Sequence, residues 1–257
     1  MRWSDLKPEP GIVAAIEYAG PRPERGNQDE KRHWSETFAN GCAIAIADQL
    51  RKSPVKKKRI LPLNLAAGTE PLTPLGAGTQ KRIDVTVVDP VLGLEIGVSL
   101  KGLNFKDRRN KNYDKNLTGR LYELGDEIRL VHEHLPHAFM VGIFFLPLES
   151  SVDKIKAQSS FAHTVIKLRG RTGRLDAALA SHAPRCDIAY VGLYTTGNEA
   201  QGYPPGITRF LNVEKPPPRR GRPKVEDTQT LRSVVQEVVG RATFTAEVDW
   251  ALPEADQ

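Results

Sequence analysis

Cysteine is nearly absent from the 257 residues: Cys42 and Cys186 are the only two, with no paired spacing, so a disulfide framework or a four-cysteine zinc site is excluded. No apolar run approaches the roughly 18 residues of a membrane span, and the opening MRWSDLKPEP lacks the apolar core of a signal peptide. The expectation is a cytoplasmic protein with no membrane partner. GRTGR at 170–174 has no GxxxxGK[ST] loop to cradle a triphosphate, which removes an NTPase. No GxSxG or Cys–His signature supports acyl transfer. His132, His134 and His137 in HEHLPH lack the HExxH order and fall where a helix ends, so they read as surface or satisfied histidines. No internal repeat is present.

Positive charge is abundant, with 37 Lys and Arg against 31 Asp and Glu, a net of +6. Its distribution matters more than its total. RKSPVKKKR (51–59) holds six cations and no acid, KPPPRRGRPK (215–224) holds five and no acid, and FKDRRNKNYDK (105–115) is a third basic run. One such run is usually a solvated face, but three of them point to a polyanion, with nucleic acid the leading partner.

Residues 1–31, rich in Pro, Gly and charge, read as an irregular N-terminal arm. Trp34, Phe38, Cys42, Ile46 and Leu50 recur every fourth position, which predicts an amphipathic helix with Ser35 as a plausible N-cap. RILPLNLAA reads as an edge strand interrupted by Pro62. RIDVTVV and LEIGVSLK flank the turn DPVLG and predict a β-hairpin. Leu117, Leu121, Leu124, Ile128 and Val131 predict a second long helix ended by Pro136, and HAFMVGIFFLPL is the most apolar strand, expected at the centre of a sheet. SSVDKIKAQSSFAHTVIKL and GRLDAALASHA read as helices and CDIAYVGLYTT as a strand. The fold class expected is α/β, a mixed sheet flanked by helices, over residues 32–213. Residues 214–228 read as a basic, Pro-rich linker, and 229–257 as a small extension with a helix and a strand-like ATFTAEVDW.

A lysine near the end of so apolar a strand, VLGLEIGVSLKG, needs a reason. Ser99 and Lys101 share one face by alternation. If Asp89 and Gly93 close the hairpin, facing residue numbers sum to about 182 or 183, and the second register sets Asp84 opposite Ser99 on that face. A carboxylate, a hydroxyl and an ammonium then gather at the open end of the hairpin. Such a cluster suits phosphodiester hydrolysis with a bound Mg²⁺. Asp84 and Ser99-Leu100-Lys101, in an order of helix, three-strand meander, helix and strand, resemble the PD-(D/E)xK nuclease superfamily, which includes most type II restriction endonucleases. The match covers roughly residues 33–146. It departs from the family pattern where Ile83 replaces Pro and where Ser99 replaces the second acid.

The resemblance implies a Mg²⁺-dependent endonuclease for double-stranded DNA: Asp84 on the metal, Lys101 positioning the water, Ser99 a weak or indirect ligand. It also implies a homodimer, since both strands are cut. The missing acid must come from elsewhere. Glu36, at the start of the first long helix, ranks first; Glu123, one turn beyond Arg120 on the second, ranks next; Glu95 lies about 13 Å along the strand and ranks third. Arg120 is the expected phosphate contact. In the linker, Arg219, Arg220, Gly221, Arg222, Pro223 and Lys224 resemble an AT-hook, whose Arg-Gly-Arg-Pro centre would enter a narrow A·T minor groove. The competing expectations are a non-catalytic DNA-binding protein with a degenerate nuclease fold, and a nuclease for RNA or for branched or modified DNA.

Overall fold

The computed structural model describes residues 1–64, 72–76, 79–154, 157–174 and 184–248. The expected helix GRLDAALASHA lies almost wholly outside these residues. Helix α1 (Pro10–Ala19) leads into α2 (Gln28–Leu50), and β1 (Arg59–Leu61) follows. After a small hairpin, β2 (Leu72–Gly76) and β3 (Thr79–Arg82), come β4 (Val85–Asp89), β5 (Gly93–Gly102), α3 (Leu117–His134) and β6 (Phe139–Pro147). Then α4 (Ser160–Arg169), β7 (Ile188–Tyr194), β8 (Thr208–Asn212) and α5 (Leu231–Val248) complete the order.

Six strands form one mixed sheet in the order β1-β4-β5-β6-β7-β8, with β5, β6 and β7 parallel and the other pairings antiparallel. The wholly buried β6 sits inside the sheet, as its continuous apolar run predicts. β1 stops before Pro62 and lies at the edge, where a missing N–H is tolerated. Strand alternation sends Val98, Leu100, Val141, Ile143 and Phe145 to a core shared with α1, α2 and α5, and Met140 and Phe144 to a second core shared with α3 and α4.

Several expectations are corrected. The first long helix begins at Gln28, not near Ser35, because Asn27 accepts from the Glu30 N–H while the Glu30 carboxylate accepts from the Asn27 N–H. The N-terminal arm is largely helical: α1 packs on α2 and places Ile12 and Ala15 in the first core, and Trp3 belongs to the second. The C-terminal extension is one helix through Val248, and its Leu231, Val234, Val235, Val238 and Val239 cover the sheet. Both end segments are thus built into the cores. RIDVTVV is not one strand; it breaks at Asp84, with β3 pairing with β2 and β4 with β5.

Candidate active site

Both hairpin registers occur in the same hairpin. Asp89↔Gly93 and Val88↔Leu94 keep the tighter one at the turn, a bulge at Val87/Val88 absorbs one residue, and Val87↔Ile96, Thr86↔Gly97 and Val85↔Val98 follow the other. Asp84 therefore comes level with Ser99 at the end where β4 gives out. Its Oδ2 accepts the Leu100 N–H at 2.6 Å, which puts a carboxylate against the backbone between Ser99 and Lys101.

Ser99 is fully buried and Lys101 is 9% exposed, and the reason is Glu127 of α3. The Ser99 hydroxyl donates to Glu127 Oε2 at 2.5 Å, and Lys101 Nζ donates to Glu127 Oε1 at 2.9 Å. One carboxylate satisfies both polar groups on that face of β5, so the lysine is an ion-paired group with its head tied down. Glycine makes the approach of α3 feasible. Gly142 is the β6 partner of Ser99, and a Cβ there would meet Leu124 Cδ2 at 3.2 Å.

Sequence reasoning missed Glu127, yet a signal was present. At about 100° per residue, Glu127 lies about 80° from the centre of α3's apolar stripe and Glu123 about 120°. The acid nearer the stripe is the one turned to the sheet. Glu123 is exposed and pairs with Arg120 at 2.8 Å, so neither joins Ser99 and Lys101. Glu36 is exposed, lies beside Arg32 at 3.8 Å, and belongs to a helix that packs on the opposite face of the sheet. Glu95 is taken up by Lys58 at the turn end of the hairpin. The structure brings together Asp84, Ser99 and Lys101, adds Glu127, and leaves Glu36, Glu123 and Arg120 apart. Burial pushes the Cys42 thiol well above its ordinary value and Cys186 up to about 12, so neither is a thiolate nucleophile.

The basic runs divide by position. Residues 51–59 lie near the turn end of the hairpin, where Lys58 pairs with Asp89 and Glu95. The loop after β5 lies at the Lys101 end. Asp107 organises it by accepting from Lys115 Nζ and the backbone N–H groups of Asn110 and Arg109, which lower its carboxyl to about 2. Lys106, Arg108, Arg109, Lys111 and Lys115 remain exposed around it.

The run at 215–224 also reaches the Lys101 end, but not as a free arm. Arg169 near the end of α4 donates to Val213 O and Lys215 O, Ser159 N–H at the start of α4 donates to Arg219 O, and Gly221 N–H donates to Ser151 O. Gly221 takes φ 89°, and the buried Pro223 accepts at its carbonyl from Trp3 Nε1. Arg222 stacks over Tyr203 at 5.0 Å and donates to its hydroxyl. Arg219, Arg220 and Lys224 are exposed, whereas the Gly-Arg-Pro centre that an AT-hook inserts into a groove is fixed to the body.

No protein-family model, curated protein or solved structure matches the chain. No helix among the described residues is long and apolar enough to cross a membrane.

Proposed function

We propose that the chain is a Mg²⁺-dependent endonuclease for double-stranded DNA, of the PD-(D/E)xK kind and akin to a type II restriction enzyme. One observation carries this reading: α3 delivers Glu127 to Ser99 and Lys101, on the strand whose Leu100 N–H donates to Asp84, and a neighbouring helix would thereby supply the acid missing from the strand motif. The order α2-β1-β4-β5-α3-β6, an antiparallel meander followed by a parallel strand, supports the same assignment. So does the gathering of two basic segments at the Lys101 end.

No group of three or more ligating His, Cys, Asp or Glu side chains assembles among the described residues, so a cage made wholly of protein is not the model to test. Mg²⁺ does not require one, because it takes one or two carboxylates and completes its shell with water and phosphate oxygens. Asp84 and Glu127 are the residues that would hold it, and when bound it supplies Lewis acidity and a more acidic water. The chain's own groups do the rest. Lys101, held by Glu127, orients the attacking water and offsets the negative charge that develops on the phosphate. Ser99 positions Glu127 and is not needed as a ligand. The exposed cations of the loop after β5, with Arg219 and Arg220, hold the backbone of the duplex. Cutting two strands needs two such sites, so the working unit is a homodimer.

The test is cleavage of mixed plasmid and genomic DNA with Mg²⁺ and with chelator, using wild type, Asp84→Ala and Lys101→Ala. Discrete fragments that need the metal and both residues are expected, with a loss of roughly 10²–10³-fold for Lys101→Ala. Intact DNA in every lane beside a clear binding shift would instead support the non-catalytic DNA-binding protein.

A further inference from the structure

The basic run at 51–59 plays no part in the cleavage site. It lies at the turn end of the β4–β5 hairpin, and β5 runs about 26 Å from Gly93 to Lys101. Its cations are only partly neutralised. Arg51 pairs with Asp48, and Lys58 joins the run to the turn by donating to Asp89 and Glu95. Lys56 and Lys57, from the short 3₁₀ turn Pro54–Lys57, and Arg59, at the start of β1, are exposed and form no ion pair with a described residue. Lys58 occupies the two acids of the turn, so positive charge is in excess around it.

The tip itself is apolar and held in shape. Val91 is 89% exposed, Leu92 is 46% exposed, and Pro90 is exposed beside them. Solvated turns ordinarily carry Gly, Asn, Asp or Ser. One valine on a surface is ordinary, but three apolar residues in succession on a turn bordered by unpaired cations need a reason. Asp89 Oδ1 accepts from the Val91 N–H at 2.8 Å and the Leu92 N–H at 3.1 Å, Gly93 takes φ 82°, and His137 Nε2 donates to the Leu92 carbonyl at 3.1 Å. The apolar side chains thus stand on a fixed ridge, and a ligand need not order the turn on binding.

A ligand for this surface is anionic outside and apolar within. Duplex DNA meets that description: phosphates flank a stack of bases, and apolar wedges, Pro and Leu among them, enter the minor groove and part a base step. An anionic bilayer has the same order of layers, but interfacial lipid binding uses a long apolar face, and this ridge is one turn long. We propose that Pro90, Val91 and Leu92 wedge into the minor groove of a duplex segment while Lys56, Lys57 and Arg59 hold the flanking phosphates. The segment is a second one, or the same molecule bent round the body, because the Lys101 end is about 26 Å away. The proposal goes beyond the nuclease reading, since a wedge bends DNA whether or not the chain cuts it.

The test uses the full chain in chelator with duplexes carrying 2-aminopurine at successive positions, whose fluorescence rises where a step is unstacked. Wild type should brighten one position. Val91→Ser should remove at least about half of that rise and Val91→Phe should increase it, both with the melting temperature of wild type because the side chain is exposed. The triple variant Lys56→Glu, Lys57→Glu, Arg59→Glu should weaken binding by roughly tenfold or more and lower the slope of log affinity against log salt by roughly 2–3, at about 0.9 per phosphate. No brightening, brightening indifferent to Val91, or a salt slope unchanged in the triple variant would overturn the proposal. So would pelleting of the chain with phosphatidylserine vesicles through these residues while duplex binding ignores them. Cleavage that survives when no duplex brightens would sink the tip and keep the nuclease reading; brightening without metal-dependent cleavage would do the reverse.

Discussion

Two carboxylates, Asp187 buried and Glu127 partly buried, sit at opposite ends of the parallel strands, and they are held in different ways. Asp187, just before β7, accepts from the Met140 N–H at 2.7 Å and from Arg174 Nε at 2.9 Å, while Arg174 also donates to Pro136 O. With a side chain only 2% exposed, it is tied to the backbone at the start of β6, and the arrangement closes a strand junction. Glu127 is held by two side chains, Ser99 and Lys101, near a rim of exposed cations. With one oxygen on a fixed backbone N–H and the other on an arginine, Asp187 has little left to offer a ligand. A carboxylate that a lysine and a serine hold can be shared, because both partners can turn toward an incoming phosphate or water.

That contrast can be broken most sharply at Glu127. Glu127→Gln should lower metal-dependent cleavage by roughly 10³-fold while Glu123→Gln changes it by less than about twofold, as measured in single-turnover assays on plasmid DNA. Equal losses would mean that the exposed pair with Arg120, not the buried cluster, is the working site. The opposite end should respond in stability. Asp187→Ala removes the partner of Arg174 and of a buried N–H, which costs roughly 3 kcal/mol and lowers Tm by roughly 6–12 °C, with cleavage per folded molecule retained. A variant as stable as wild type would show that the Asp187 cluster is not structural.

The smallest effect is in pH. Burial, with Arg174 nearby, lowers the pKa of His132 below 6.5 despite Asp187 at 3.8 Å. The unfolded chain takes up that proton at a higher pH than the folded one. Stability from neutral His132 is therefore full above about pH 6.5 and is lost as pH falls below it toward the native pKa. A scan from about pH 8 to 5.5 should show Tm falling by roughly 1–2 °C more in wild type than in His132→Gln. Parallel curves would remove His132 from the account.

Much of the fold was legible from residue pattern. The stripe Leu117, Leu121, Leu124, Ile128 and Val131 located α3, and the unbroken apolar run located β6. The hairpin alternation put Ser99 and Lys101 on one face. What the pattern missed was non-local or competitive. The capping box at Asn27 and Glu30 outcompeted Ser35, and β8, a short strand, owes its place to pairing with β7. The AT-hook resemblance rests on a local string of residues, and the anchoring of that string by Ser151 and Ser159, Tyr203 and Trp3, from three separate parts of the chain, is not visible in it.

By itself, the sequence determined which residue types were available for chemistry and which faces of β5 and α3 they occupied, since periods of two and 3.6 are local properties. Only the tertiary structure decided the partners. The bulge at Val87/Val88 chose the register that levels Asp84 with Ser99, and the packing of α3 over Gly142 turned Glu127, not Glu123, toward Ser99 and Lys101, while Glu36 lies on the other face of the sheet. Both choices turn on a shift of one residue or one helical face, and it is packing between distant segments that fixes shifts of that size.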